Sequence, residues 1–134
     1  MIINSEAEML QCGRDFAAQL QAPCVIELIG DVGAGKTTFT RGLAQGLGVS
    51  ETLASPSFTI SRFYQGKKYT LTHYDFYRID DPGLMAEDLA ESIDDPNNIT
   101  VVEWGKSIAD LLPEDCKHVT IKYVDENTRE LEIA

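Results

Sequence analysis

The chain has 134 residues, enough for one compact domain over residues 1–134, since domains usually contain about 100–200 residues. Its 22 acidic and 11 basic side chains give a formal charge of −11, which disfavours direct binding to nucleic acid because such binding relies on neutralising phosphates. The three cysteines form no C-x-x-C pair, which argues against a disulfide framework or a zinc knuckle. Neither a signal-like N-terminus nor a long apolar run is present, so we expect a cytoplasmic protein without membrane contact.

The first part of the chain predicts a helix, a strand, a glycine-rich turn and a second helix. Ser5 and Glu8 have the spacing of a capping box, which marks the start of the first helix. Phe39, Leu43 and Leu47 recur every four residues, as on one face of a second helix. The predicted elements are a helix over residues 5–20, a buried strand over Cys24–Ile29 and a helix that ends near Gly48.

The remainder of the chain predicts mostly strands. The turn Gln65-Gly66-Lys67 indicates one hairpin, and Asp125-Glu126-Asn127 indicates a closing one. The predicted elements are strands over Phe58–Tyr64 and Lys68–Asp75, an acidic helix over residues 84–93, a strand over Ile99–Val102, a short helix to Leu112, and hairpin strands containing Val119, Ile121 and Tyr123 and then Leu131 and Ile133. Together they predict an α/β fold whose sheet is mixed, with parallel and antiparallel pairs, and flanked by helices.

A glycine-rich segment matches the phosphate-loop pattern G-x-x-x-x-G-K-[ST] at every fixed position. The segment is Gly30-Asp31-Val32-Gly33-Ala34-Gly35-Lys36-Thr37. Its glycines allow backbone N–H groups to face phosphate oxygens, and the following helix adds its positive end. We expect Lys36 to contact the β- and γ-phosphates and the Thr37 hydroxyl to bind magnesium. The segment therefore predicts a P-loop NTPase-like domain that binds ATP and Mg²⁺, while the absence of an N-K-x-D tetrapeptide disfavours guanine.

Two acidic residues are candidates for completing the magnesium site. Glu103 follows an apolar strand, and Asp75 ends a strand face that also carries His73. Taken alone, either carboxylate is equally compatible with a solvated acid, and His73 is more typical of a packed strand histidine. Arg78 is compatible with a γ-phosphate contact or with an ion pair to the acids that follow it. The residues by themselves leave these alternatives open.

Four motifs in a fixed order resemble those of one family. They are Gly30-Asp31-Val32-Gly33-Ala34-Gly35-Lys36-Thr37-Thr38-Phe39-Thr40-Arg41-Gly42-Leu43, Ser55-Pro56-Ser57-Phe58-Thr59, His73-Tyr74-Asp75-Phe76-Tyr77-Arg78 and Val102-Glu103-Trp104. Over nearly its whole length the chain resembles the bacterial tRNA threonylcarbamoyladenosine biosynthesis ATPases, the TsaE family. The resemblance implies a mixed-sheet P-loop ATPase that supports turnover of a two-protein, sugar-kinase-like transferase, which transfers a threonylcarbamoyl group to adenosine in tRNA. Contact with tRNA would then be only indirect.

The resemblance also implies roles by position. The implied nucleotide-binding residues are Gly30, Asp31, Val32, Gly33, Ala34, Gly35, Lys36, Thr37, Thr38, Ser57 and Trp104, the implied magnesium ligands are Thr37 and Glu103, and the implied catalytic residues are Lys36 and Asp75. Asp75 falls at the position of the family's hydrolysis-linked aspartate. Ser57 and Thr59 fall in a segment that resembles a nucleotide-sensing switch. The family's overall geometry would bring Ser5 and Arg129 toward the base, but neither is assigned a role.

The chain departs from the family's sequence pattern at two places, and two alternative functions remain open. Ser57 stands where the family commonly has Thr, a change that keeps the hydroxyl. The acidic stretch from Asp81 to Asn98 lacks the family's usual glycine and aromatic pattern, so no partner contact is predicted there. The same phosphate loop is also compatible with a small-molecule kinase or with a non-catalytic ATP-sensing adaptor.

Overall fold

A computed structural model of the chain describes residues 1–31, 33–50, 61–76 and 83–134. Within those residues the elements are β1 (Ile2–Ile3), α1 (Glu6–Ala17), β2 (Cys24–Ile29), α2 (Lys36–Gly46), β3 (Ser61–Gln65), β4 (Thr70–Asp75), α3 (Leu84–Asp94), β5 (Asn98–Glu103), a 3₁₀ segment (Gly105–Leu111), β6 (Lys117–Asp125) and β7 (Thr128–Ile133). None of the helices in these ranges has the length and apolar character needed to cross a membrane.

The described strands form one sheet in the order β1-β7-β6-β2-β5-β4-β3. The central strand β2 pairs in parallel with β5 and β6, and β5 pairs in parallel with β4. The outer pairs β3–β4, β6–β7 and β1–β7 are antiparallel. The predicted α/β fold with a mixed sheet is therefore confirmed. Because β2, β4 and β5 run in the same direction, their carboxyl ends lie at one edge, where Asp75 is the register partner of Glu103.

The start of α1 is capped as its sequence predicts. The Ser5 hydroxyl accepts a hydrogen bond from the Glu8 N–H at 3.1 Å, and the Glu8 carboxylate accepts one from the Asn4 N–H at 2.6 Å. The helix ends at Ala17, short of the predicted residue 20. Leu20 remains buried beyond the helix end, so its apolar spacing reflects core packing rather than a further helical turn.

The end of α2 is set by a left-handed glycine. Gly48 has φ 80°, and its N–H donates to the Gln45 carbonyl at 3.1 Å. The N–H of Val49 donates to the Ala44 carbonyl at 3.0 Å, which completes a Schellman motif. The helix therefore ends where its sequence predicts.

Helices cover both faces of the sheet. The larger core cluster joins α1 and α2 to one face, and a smaller one joins α3 and the 3₁₀ segment to the opposite face of β4 and β5. The helices α1 and α2 approach closely because Gly13 of α1 faces the backbone of α2 and Gly42 of α2 faces the backbone of α1. A Cβ added at Gly42 would lie 2.2 Å from the Leu10 carbonyl oxygen, and one at Gly13 2.4 Å from the Phe39 carbonyl oxygen.

Several element boundaries differ from the sequence prediction. The short strand β1 was not predicted, because two residues carry no periodicity. β4 begins at Thr70 rather than Lys68, and Asp125 belongs to β6, where it pairs with Thr128 instead of forming the turn. Of the predicted strand over Phe58–Tyr64, residues 58–60 lie outside the described residues.

Candidate active site at the phosphate loop

The phosphate loop connects the end of β2 to the start of α2, and its glycines meet two separate requirements. Gly33 and Gly35 have φ values of 83° and 113°, which residues with a Cβ rarely adopt. Gly30 approaches β6 so closely that an added Cβ would lie 2.6 Å from the Ile121 carbonyl oxygen. Val32, a predicted loop residue, lies outside the described residues.

The N-terminus of α2 offers backbone donors to an anion. Its N-cap is Gly35, which makes no side-chain capping bond. The N–H groups of the first helical turn lack intrahelical acceptors, so they and the helix dipole favour a negative group at this position. Thr37 and Thr38 lie in this first turn and are half-buried.

Lys36 lies at the centre of the site and is only 6% exposed. Its Nζ donates a hydrogen bond to the Gly30 carbonyl at 2.6 Å and lies 3.8 Å from Oε1 of Glu103. The same ammonium lies 3.9 Å from the centroid of the Trp104 ring, a cation–π contact. One buried cation thus contacts the loop backbone, an acid and an aromatic ring.

Burial and the surrounding acids shift the pKa of Lys36 in opposite directions. Burial lowers the pKa of the Lys36 ammonium because desolvation disfavours the charged form. Glu103, Asp75 and Asp31 act against this shift through their negative charges. A polyphosphate placed beside Lys36 would add negative charge and stabilise the ammonium further.

The acidic end of β5 is buried and held by a histidine. Glu103 is 5% exposed, and its Oε2 lies 2.5 Å from Nε2 of the fully buried His73 on β4. Asp75, two residues after His73, is half-buried and ends β4 opposite Glu103. Trp104 follows with φ 57°, a left-handed conformation unusual for a tryptophan and typical of residues held in place at functional sites.

The oxygen donors at this edge suit magnesium. The Thr37 hydroxyl and the Glu103 carboxylate are hard oxygen ligands of the type that Mg²⁺ prefers. Within the described ranges, no three His, Cys, Asp or Glu side chains are grouped to hold a metal by themselves. In phosphate-loop sites, phosphates and water supply the remaining oxygens, so this donor set fits magnesium that is bound together with a nucleotide.

A cavity of about 500 Å³ lies beside the loop, within the size range of ligand pockets. Its lining includes Gly33, Gly35 and Thr38 of the loop and α2, and Ser5 and Arg129 from the two ends of the chain. The structure therefore places near the loop two residues to which the sequence assigned no nucleotide-binding role.

Arg129 also fixes the outer side of the loop. Its Nε donates to the Ala34 carbonyl at 3.0 Å, and one of its terminal nitrogens lies 3.4 Å from the Gly33 carbonyl oxygen. The guanidinium lies 4.6 Å from the centroid of the Tyr123 ring. No sequence motif contains this contact, because it depends on the pairing of β7 with β6 rather than on local spacing.

Comparison with known proteins identifies the family. A sequence profile described as "Threonylcarbamoyl adenosine biosynthesis protein TsaE" matches residues 3–131. The chain belongs to the TsaE family. The resemblance seen in its motifs is thus confirmed over almost the full sequence.

Individual members of the TsaE family match this chain over most of its length, and each is named tRNA threonylcarbamoyladenosine biosynthesis protein TsaE. The Treponema pallidum protein is 35% identical over 99% of this chain and 98% of its own length. The Rickettsia bellii protein is 34% identical over 96% of this chain and 89% of its own length. The Bacillus subtilis protein is 39% identical over 80% of this chain and 66% of its own length. The crystal structure of Bacillus subtilis YdiB superposes with a TM-score of 0.80 at 31% identity, covering 98% of this chain and 80% of YdiB.

Most of the residues that the TsaE resemblance singles out converge in the structure. The Lys36 ammonium lies close to both Glu103 and Trp104, and Asp75 lies opposite Glu103. Ser57, Thr59 and Arg78 lie outside the described residues. The individual roles assigned to these residues remain predictions.

Proposed function

We propose that this TsaE-family chain binds ATP and magnesium at the phosphate loop and hydrolyses ATP in support of a partner transferase that forms threonylcarbamoyladenosine in tRNA. One observation carries the proposal. Nζ of the loop lysine, Lys36, lies 3.8 Å from Oε1 of Glu103, the acid that ends β5. Asp75, which ends β4, is the register partner of Glu103. A buried lysine at a glycine-rich loop beside a strand-end carboxylate is the arrangement that P-loop NTPases use for phosphoryl transfer.

The loop and α2 would bind the polyphosphate. Lys36 would leave the Gly30 carbonyl to contact the phosphates, while the first-turn N–H groups of α2 donate to their oxygens. The cavity lined by Ser5, Thr38 and Arg129 adjoins this position and has room for a nucleoside. Thr37 and Glu103 would hold the magnesium ion, which when bound neutralises charge on the phosphate oxygens.

We assign to Asp75 the role of acting on the attacking water. It ends β4 beside Glu103 and is half-buried, so its carboxylate can accept a hydrogen bond from water near the phosphates. The water oxygen forms a bond to the γ-phosphorus, the bond from that phosphorus to the bridging oxygen breaks, and ADP leaves with that oxygen. One proton of the water passes to the Asp75 carboxylate and from there to solvent, and the other stays on the released phosphate.

The partner-dependent part of the proposal rests on family membership and charge. The TsaE relatives are named for tRNA threonylcarbamoyladenosine biosynthesis, and the chain's charge of −11 disfavours direct contact with tRNA. We therefore assign tRNA modification to a two-protein, sugar-kinase-like transferase and assign ATP turnover to this chain. Groups supplied by a partner can accelerate a P-loop hydrolase by roughly 10³–10⁵, so slow hydrolysis by the isolated chain is expected.

ATP hydrolysis with and without the partners tests the proposal. The isolated chain should release phosphate slowly, and the transferase should accelerate release. Asp75→Asn should lower the stimulated rate by at least about 100-fold while nucleotide binding persists, since the asparagine cannot act as a carboxylate base.

Three outcomes would contradict this account. Rapid hydrolysis by the isolated chain that the partners leave unchanged would exclude partner dependence. A phosphorylated metabolite among the products would favour a kinase, and ATP binding without hydrolysis in the full system would favour an adaptor.

A further inference from the structure

A buried histidine of β4, His73, contacts Glu103, the acid that ends β5. His73 is 0% exposed, and its Nε2 lies 2.5 Å from Oε2 of Glu103. The register of β4 and β5 pairs His73 with Val101 and Asp75 with Glu103, so His73 reaches diagonally to the carboxylate on the same sheet face. The contact joins two buried polar groups directly behind the phosphate loop.

The hydrogen bonding of the imidazole argues against a purely packing role. A carboxylate oxygen accepts, so Nε2 of His73 must donate. Among the described residues, Nδ1 of His73 has no hydrogen-bond partner although it is buried. Burying such a nitrogen is unfavourable, and a leucine would fill the same volume without that cost.

The two oxygens of Glu103 face different groups. Oε2 is engaged by His73 at 2.5 Å, whereas Oε1 lies 3.8 Å from Nζ of Lys36, at the outer limit of an ion pair. Without the histidine, nothing described here would hold Oε2, and the carboxylate would be drawn toward the lysine. A closer Lys36–Glu103 pair would compete with magnesium for the carboxylate.

We propose that His73 is a positioning residue that orients the Glu103 carboxylate for magnesium. This role rests on the proposed function, because it presupposes a magnesium–nucleotide complex at the loop. It acts through Glu103, and His73 itself contacts neither ligand. Hydrogen-bonding partners of this kind orient metal-binding groups, and their loss typically reduces metal affinity by about 10–100-fold.

Calorimetric titration with ADP, in magnesium and in EDTA, separates this role from a structural one. The wild-type chain should bind ADP more tightly in magnesium than in EDTA. His73→Leu should keep the EDTA affinity but lose about 10-fold or more of the magnesium enhancement. His73→Gln should recover most of it, because the glutamine amide places an N–H near the position of Nε2.

Three further experiments sharpen the result. Thr72→Val changes a buried polar residue of the same strand whose hydroxyl bonds Asn98 on the opposite face, and it should leave the magnesium enhancement intact. Binding of Mn²⁺ to the ADP complex, followed by electron paramagnetic resonance, should weaken in His73→Leu. The double variant His73→Leu/Glu103→Gln should lose no more of the magnesium enhancement than Glu103→Gln alone, because both changes act through one carboxylate.

The outcomes distinguish this inference from the proposed function. Equal magnesium enhancement in folded His73→Leu and wild type would overturn the positioning role, as would equal losses in both buffers or no recovery in His73→Gln. Wild-type protein that binds no ADP in either buffer would refute the nucleotide site itself, and this role with it.

Discussion

The ammonium of Lys36 lies 3.9 Å from the centroid of the Trp104 ring, which links the lysine of the phosphate-loop motif to the only tryptophan in the chain. The attraction of a ring for a cation is modest beside that of a charged phosphate. A nucleotide at the loop should therefore draw the ammonium away from the ring and change the tryptophan's surroundings.

Addition of ADP and magnesium should change the fluorescence of Trp104 in a saturable way. The change should follow the occupancy measured by calorimetry, since the indole loses a charge on its face. Lys36→Met keeps the length of the side chain without its charge, and it should remove the response. Unaltered emission from wild-type protein at saturating ADP would show that the lysine does not move.

Arg129 should stiffen the phosphate loop, because its guanidinium binds carbonyls on the outside of the loop. Arg129→Gln should weaken ADP binding by about 10-fold, corresponding to one charge-assisted hydrogen bond of about 1.5 kcal/mol. Hydrogen exchange at Ala34 and Gly35 should accelerate in parallel. Lys122→Gln removes one exposed charge from the same hairpin and serves as the control, so equal effects of the two changes would contradict a specific role for Arg129.

Gly42 should be indispensable for the contact between α1 and α2. Alanine normally stabilises a helix by about 1 kcal/mol relative to glycine, so propensity alone predicts a gain. A Cβ at Gly42 would instead lie 2.2 Å from the Leu10 carbonyl oxygen, and backbone atoms cannot easily move aside. We expect Gly42→Ala to lower the free energy of unfolding by about 1–3 kcal/mol in urea titrations. A more stable variant would mean that the helices are not so closely packed.

The Cys116 thiol should make stability depend on alkaline pH. Burial raises the pKa of this thiol to about 11, whereas the pKa of a cysteine thiol in the unfolded chain is about 8.5. Below the unfolded value both states keep the proton and the stabilisation is complete. As the pH rises toward 11 only the unfolded state loses its proton, so the free energy of unfolding falls by at most about 1.4 kcal/mol per pH unit.

Comparison of wild-type protein with Cys116→Ala isolates this effect. The pKa of Tyr74 is also raised by burial, but that residue is present in both proteins and its contribution cancels. The stability advantage of the wild type should shrink above about pH 8.5 in urea titrations. An advantage that stays constant to pH 10 would show that Cys116 titrates normally in the folded state.

The sequence predicts best what is encoded by neighbouring residues. The phosphate loop and the capping box at Ser5 are each complete within a few positions, so their motifs sufficed. The α/β class followed from alternating local patterns. Glu103 was a candidate because it follows an apolar strand, and the family resemblance added Trp104 to the predicted site.

What the sequence did not predict depends on how distant strands pair. β1 is only two residues long and exists through its pairing with β7 near the other end of the chain. Arg129 reaches the Ala34 carbonyl across 95 positions, and His73 meets Glu103 across 30. Such contacts follow from sheet register, which local spacing does not specify. His73 shared a predicted strand face with Asp75, and Asp75 and Glu103 were candidates for one site, but nothing in the sequence indicated that His73 would contact Glu103.

Multiple-turnover transfer of threonylcarbamoyl to tRNA by the two-protein transferase tests the central claim most directly. The assay compares no addition, the wild-type chain, Lys36→Ala, and Lys68→Ala as a control that removes an exposed lysine, all with ATP and magnesium. Turnover beyond the first round only with wild type and Lys68→Ala is the predicted result. A transfer rate that does not change when the chain is added, although the chain binds ATP, would contradict the account.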